Sequence, residues 1–141
     1  MEDRMSSLAQ VLDIPDVGET LQEMIASARK GVPMRAIGSL AEILRLNLQE
    51  VAEILPVSYR TLKRYPPNHI LPKDRSAHVL ELGRVFIRAS EVLQDEEKAR
   101  LWLTRPCQAL GGVAPMSMFD TPLGIEAVLD ELVRIEHGVY Y

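Results

Sequence analysis

Six side chains able to hydrogen-bond stand within seven consecutive positions: Ser58, Tyr59, Arg60, Thr61, Lys63 and Arg64. Arginine, serine and threonine can read base edges in a DNA major groove, and lysine and arginine can hold phosphates. Basic charge concentrates at the same place. Residues 58–75 hold five bases and one acid, a net of +4, between stretches 1–57 (five bases, nine acids) and 76–141 (six bases, ten acids) of −4 each. The whole chain is −4, so nothing global draws it to nucleic acid. A small DNA-contacting surface on an acidic protein has this local asymmetry. On charge alone, a solvated surface loop competes with it.

Other residues of chemical interest form no site. His69, His78 and His137 share no metal-ligand spacing with Cys107 or with a carboxylate pair, so no metal is expected. Cys107 lies near Arg105 but has no partner histidine that the sequence identifies, and as the lone cysteine it excludes an intramolecular disulfide or multi-cysteine zinc site. Gly111-Gly112 lacks the Lys-Ser/Thr and preceding strand of a phosphate loop, and reads as a tight turn. Asp95-Glu96-Glu97 sits at a helix start, where acids complement the dipole. No serine lies in a nucleophile elbow. The sequence asks for no enzyme, cofactor or small-molecule substrate.

The elements that must position these residues are helical. The chain has 141 residues, 47% hydrophobic and 26% charged, enough for one domain or two small packed ones. No apolar run approaches the roughly 20 residues of a membrane span, and Met1-Glu2-Asp3-Arg4 lacks a signal peptide's apolar stretch. A cytoplasmic protein without membrane contact is expected. Thr20 and Glu23 make a capping-box pattern for a helix to Lys30, stopped at Gly31, and Pro33 opens the next, with Met34, Ile37, Leu40, Ala41 and Leu44 on one face. Asn47 caps Leu48–Leu55, and Ser58 caps Tyr59–Tyr65, ended by Pro66-Pro67. A long amphipathic helix covers Asp74–Leu93, Asp95 caps Glu96–Leu103, residues 104–121 form a structured loop, and Leu123–Glu136 closes before Gly138. Residues 1–19 fit either a flexible arm or a short docked helix.

Leu48 to Tyr65 reads as a helix-turn-helix. Val51, Leu55, Val57, Leu62 and Tyr65 take the apolar contact positions, Ala52 the close crossing and Ser58 the second cap, while Pro56 replaces the usual turn glycine. The second helix then presents Ser58, Tyr59, Arg60, Thr61, Lys63 and Arg64 to solvent. A helical hairpin kept for packing is the competing reading. So few basic contacts bind weakly from one copy, which implies a homodimer on two DNA half-sites.

Residues 99–141 carry an ordered set of short elements: Trp102-Leu103 before Arg105-Pro106, Leu110-Gly111-Gly112 with Pro115, Thr121 before Gly124, and Leu132, Ile135 and Gly138. With the upstream helix-turn-helix, this set resembles Xre/MbcA/ParS-type antitoxins of RES–Xre toxin–antitoxin pairs, over residues 20–141. The resemblance implies an all-α fold, an N-terminal Xre-like helix-turn-helix bundle packed against a C-terminal helical toxin-binding domain. It divides the chain into an arm (1–19), the helix-turn-helix region (20–75), a connecting helix (76–98) and the toxin-binding domain (99–141). It also implies a RES-domain toxin that degrades NAD, neutralised by a C-terminal segment covering its active-site entrance, and an operon repressed by operator binding. The toxin contacts it suggests are Arg105, Pro106, Gly111, Gly112, Glu136, His137, Gly138, Val139, Tyr140 and Tyr141. Tyr140 and Tyr141 are interface anchors on this reading, against a reading in which they fold onto the domain's own core. Trp102 reads as core. A stand-alone helix-turn-helix regulator with a C-terminal dimerisation domain, or an interaction module with a vestigial DNA-binding unit, would share the same elements.

Overall fold

A computed structural model describes residues 6–138. Among them the regular structure is helical: α1 (Leu8–Leu12), α2 (Leu21–Lys30), α3 (Arg35–Leu44), α4 (Leu48–Ile54), α5 (Tyr59–Arg64), α6 (Lys73–Leu93), α7 (Glu96–Thr104) and α8 (Pro122–Glu136). Two 3-10 turns, Gln108–Leu110 and Pro115–Met118, lie in the segment between α7 and α8. Two isolated antiparallel bridges, Pro33 with Ile70 and Cys107 with Val113, are the β pairing among the described residues.

The helices begin where short polar side chains satisfy their first amides. The Thr20 hydroxyl accepts from the Glu23 amide at 3.1 Å while the Glu23 carboxylate accepts from the Thr20 amide at 3.1 Å. Asn47 and Glu50 make the same reciprocal pair at α4. Asp95 caps α7 through the Lys98 amide, and Thr121 caps α8 through the Gly124 amide with Pro122 as the first helical residue. Pro33 does not open α3. It stands in the bridge with Ile70, and the helix starts at Arg35 after Met34.

The 21-residue α6 is the central strut. It packs against α1, α2, α3, α7 and α8. Its Val79, Leu82, Val85, Phe86 and Ala89 are fully buried. Over residues 8–12, the N-terminal segment is docked rather than a free arm. Leu8, Val11 and Leu12 are buried, and Gly83 on α6 leaves the space they fill, since a Cβ there would meet Leu8 Cδ1 at 2.8 Å.

The helix-turn-helix half and the C-terminal half share contacts well beyond α6. Arg100 on α7 donates to the Ile43 carbonyl at 2.9 Å near the end of α3, and Arg45 pairs with Glu97 at 3.1 Å. His78 on α6 lies 2.7 Å, Nε2 to O, from the Phe119 carbonyl. No described helix is long and apolar enough to cross a membrane.

Candidate functional site

α4 and α5 meet through Val51, Leu55, Val57 and Leu62, all buried, around an exposed Pro56. Tyr65 is half-buried against the same core. Amphipathic packing of the inner face of α5 leaves the other face to solvent. Tyr59, Arg60, Lys63 and Arg64 are exposed, and Thr61 is half-buried. Among the described residues, Arg60, Lys63 and Arg64 pair with no acid. Lys63 Nζ sits 4.9 Å from the centre of the Tyr59 ring, one turn back, which keeps the ammonium against the helix surface. Ser58 has a narrower role than its exposure suggests. Its hydroxyl accepts from the Thr61 amide at 3.0 Å and donates to Thr61 Oγ1 at 2.8 Å, so its proton is already engaged.

What aims α5 is the segment after it, which the sequence marked only as a stop. Tyr65 stacks on His69 with ring centres 3.8 Å apart. Residues 67–71 then bind back to the start of α3: the Arg35 amide donates to the Pro67 carbonyl, the Met34 amide to His69, and the Leu71 amide to Val32. Beneath this strap the buried Ser76 hydroxyl accepts from the Val32 amide at 2.9 Å and donates to the Leu71 carbonyl at 3.1 Å. The signal available was the Pro66-Pro67 pair, whose fixed φ and missing amides force the chain out of the helix and into an extended return.

The C-terminal candidates divide into two groups. Arg105 and Pro106 are exposed where α7 ends. Cys107 pairs with Val113, and Gly111 and Gly112 turn the chain between them, both at φ +83, a conformation that favours glycine. The Gly112 amide donates to the Cys107 carbonyl at 2.9 Å, which closes the turn. It is a tight exposed turn. At the other end, Glu136, His137 and Gly138 finish α8, all exposed, with Gly138 at φ +73. Glu136 is not a free carboxylate. It pairs with Arg88 on α6, which also meets Glu91 at 3.5 Å, and the Glu136 hydrogen bond raises the Arg88 guanidinium above its ordinary pKa. Val139, Tyr140 and Tyr141 lie outside the described residues. Trp102, read as core, is half-buried and packs against the core from its edge. Among the described residues no group of three or more His, Cys, Asp or Glu side chains is placed to hold a metal ion.

A short basic helix held outward on a helical hairpin defines a helix-turn-helix protein, here with a second helical segment built onto the same strut. Comparison with known families supports both parts. Residues 23–84 match the antitoxin Xre-like helix-turn-helix domain, and residues 88–138 match the antitoxin Xre/MbcA/ParS C-terminal toxin-binding domain. The chain belongs to the Xre/MbcA/ParS antitoxin family. It is 29% identical over 132 residues to the antitoxin Xre of Pseudomonas putida, covering 93% of this chain and 81% of that protein. To the antitoxin Xre of Photorhabdus laumondii it is 28% identical over 116 residues, 81% of this chain and 78% of the relative. A Sphingobium protein named Prs ADP-ribosylating antitoxin is 24% identical over 128 residues, covering 84% of this chain and 80% of its own.

Proposed function

We propose that this antitoxin neutralises a cognate RES-domain, NAD-degrading toxin and represses its own operon as a homodimer in the cytoplasm. It acts by binding, not by catalysis. Arg105, Pro106, Gly111 and Gly112 form one toxin contact, and the chain end from Glu136 through His137, Gly138, Val139, Tyr140 and Tyr141 covers the toxin's active-site entrance. On DNA, Tyr59, Arg60, Thr61, Lys63 and Arg64 face the major groove, with Ser58 capping the helix that carries them. The observation that carries the reading is the pairing, on one strut, of an uncovered basic α5 with a matched toxin-binding segment.

Co-expression with the product of the neighbouring gene tests it. A stable complex is expected, with cellular NAD falling when the partner is expressed alone. Replacing Arg60, Lys63 and Arg64 together by alanine should abolish operator binding and leave neutralisation intact. The salt slope should drop by about one per phosphate contact removed. Operator binding retained at physiological salt would sink the assignment of α5. Deleting Val139–Tyr141 should release toxin activity from a folded antitoxin, and full neutralisation by the truncated chain would exclude the tail as the cover. The name of the Sphingobium relative favours a second reading, in which the toxin transfers ADP-ribose to a protein. ADP-ribose found on a cellular protein after toxin expression would select it.

A further inference from the structure

The outer face of α7 carries a stripe that leads back along the helix from Arg105 and Pro106 and that neither the helix-turn-helix nor the chain end uses. Lys98, Leu101 and Trp102 follow at intervals of three and four residues, so they share one side of the helix, and Arg105, the residue just past its end, borders the same groove. With Leu93, Pro106 and Cys107 they line an open groove of about 390 Å³. Leu101 is 41% exposed although it is a large apolar side chain.

The charge on this stripe is unlike that around it. Residues 76–138 hold six basic side chains. Arg84, Arg88, Arg100 and Arg134 each pair with a glutamate. Lys98 and Arg105 pair with none among the described residues, and both line the groove. No acid lines it. The three acids at the start of α7 are engaged elsewhere: Asp95 caps the helix, Glu96 accepts from the Ser6 amide, and Glu97 binds Arg45 and Arg100. The result is a pair of apolar side chains bracketed by two cations unpaired among the described residues, one in the first turns of α7 and one just past its end.

We infer that this stripe is a docking surface for an acidic amphipathic segment of the toxin, one that presents an apolar side chain between two carboxylates. The inference rests on the antitoxin reading and extends the Arg105–Pro106 contact to Lys98, Leu101 and Trp102, independently of the chain end. Complementary charge across such a rim steers association and fixes register, and it makes the affinity salt-dependent. A second copy of this acidic chain is the weaker fit, because this face offers no acid to meet its own cations.

The test measures affinity for the co-expressed neighbouring gene product as a function of salt, using the full chain and three variants: Lys98→Glu with Arg105→Glu, Leu101→Asp, and deletion of Val139–Tyr141. All altered stripe positions are exposed, and thermal melting checks that the fold is kept. The double reversal should weaken the complex by about tenfold or more and flatten its salt dependence. Leu101→Asp should weaken it without flattening the salt dependence as far, and both should leave operator binding unchanged. The tail deletion should keep the salt dependence. A complex that forms with the wild type and keeps its affinity and salt slope in the double reversal overturns the inference, and the Arg105 contact with it, while the antitoxin reading stands. So does loss of self-association at unchanged toxin affinity, which would assign the stripe to a second copy. Absence of any wild-type complex overturns the antitoxin reading as well.

Discussion

Ser76 is a single hydroxyl holding two backbone groups that nothing else satisfies in the same place. Its removal in Ser76→Ala leaves the Val32 amide unpaired in the core and frees the Leu71 carbonyl. A buried donor left without a partner costs about 1–3 kcal/mol. We expect a loss of that size in chemical denaturation, with operator affinity falling too, because the strap that aims α5 is tied there. At Glu23 the carboxylate is held below its ordinary value first by the Thr20 hydroxyl and then by the Thr20 amide. A depressed folded-state pKa contributes stability above the unfolded value, lost as pH falls through the folded one. Thr20→Ala removes the larger of these causes and should therefore raise the Glu23 pKa, followed by NMR, toward the ordinary glutamate value. Residue-scale roles were legible where the partner is close in sequence. The caps Thr20, Asn47, Ser58 and Asp95 each work three residues ahead. The Arg88–Glu136 pair was not legible, since 48 positions separate its members.

Among the elements, α8 owes its seat to one missing side chain. A Cβ on Gly124 would stand 1.8 Å from the Met118 carbonyl oxygen, which is backbone and cannot swing aside. Gly124→Ala should thus force α8 away from the Pro115–Met118 turn, lowering thermal stability and weakening any partner that recognises both. Gly83 is the gentler case, because its neighbours are the ends of the Leu8 and Leu12 side chains. Its alanine variant should lose less, and the loss should appear as faster amide exchange in α1. Periodicity made the longer helices readable, since α3 and α6 bury the faces their spacing marks. It failed for α1, whose five residues are too few to repeat. The available sign was Ser7 with Gln10, a reciprocal cap identical in kind to that of Thr20 and Glu23. The 3-10 turns of residues 104–121 lay beyond it too, because proline and glycine announce turns without saying which.

For the molecule as a whole, the contacts across α6 predict one cooperative unit. Cutting after Arg84 removes Val85, Phe86 and Ala89, all buried, and strips α3 of its partner Arg100. We expect the 1–84 fragment to lack a cooperative thermal transition, whereas the full chain unfolds in one step with coincident optical and calorimetric midpoints. Two independent transitions in the full chain would contradict this. The sequence division at residues 75 and 98 marks no break in the structure, since α6 starts at Lys73 and α7 runs across the second boundary. Side-chain bonds between distant segments, such as Arg100 to Ile43, carry no local pattern.

That α6 ends one family match and begins the other also bears on inheritance. The two matches meet between residues 84 and 88, in mid-helix. One residue gained or lost there rotates everything downstream by about 100° and carries the buried face out of the core. A crossover between related genes at this point survives only if both parents share the phase of the rod. The two binding surfaces are therefore linked by helical register, and lineages that exchange one without the other must do so by grafts that preserve it.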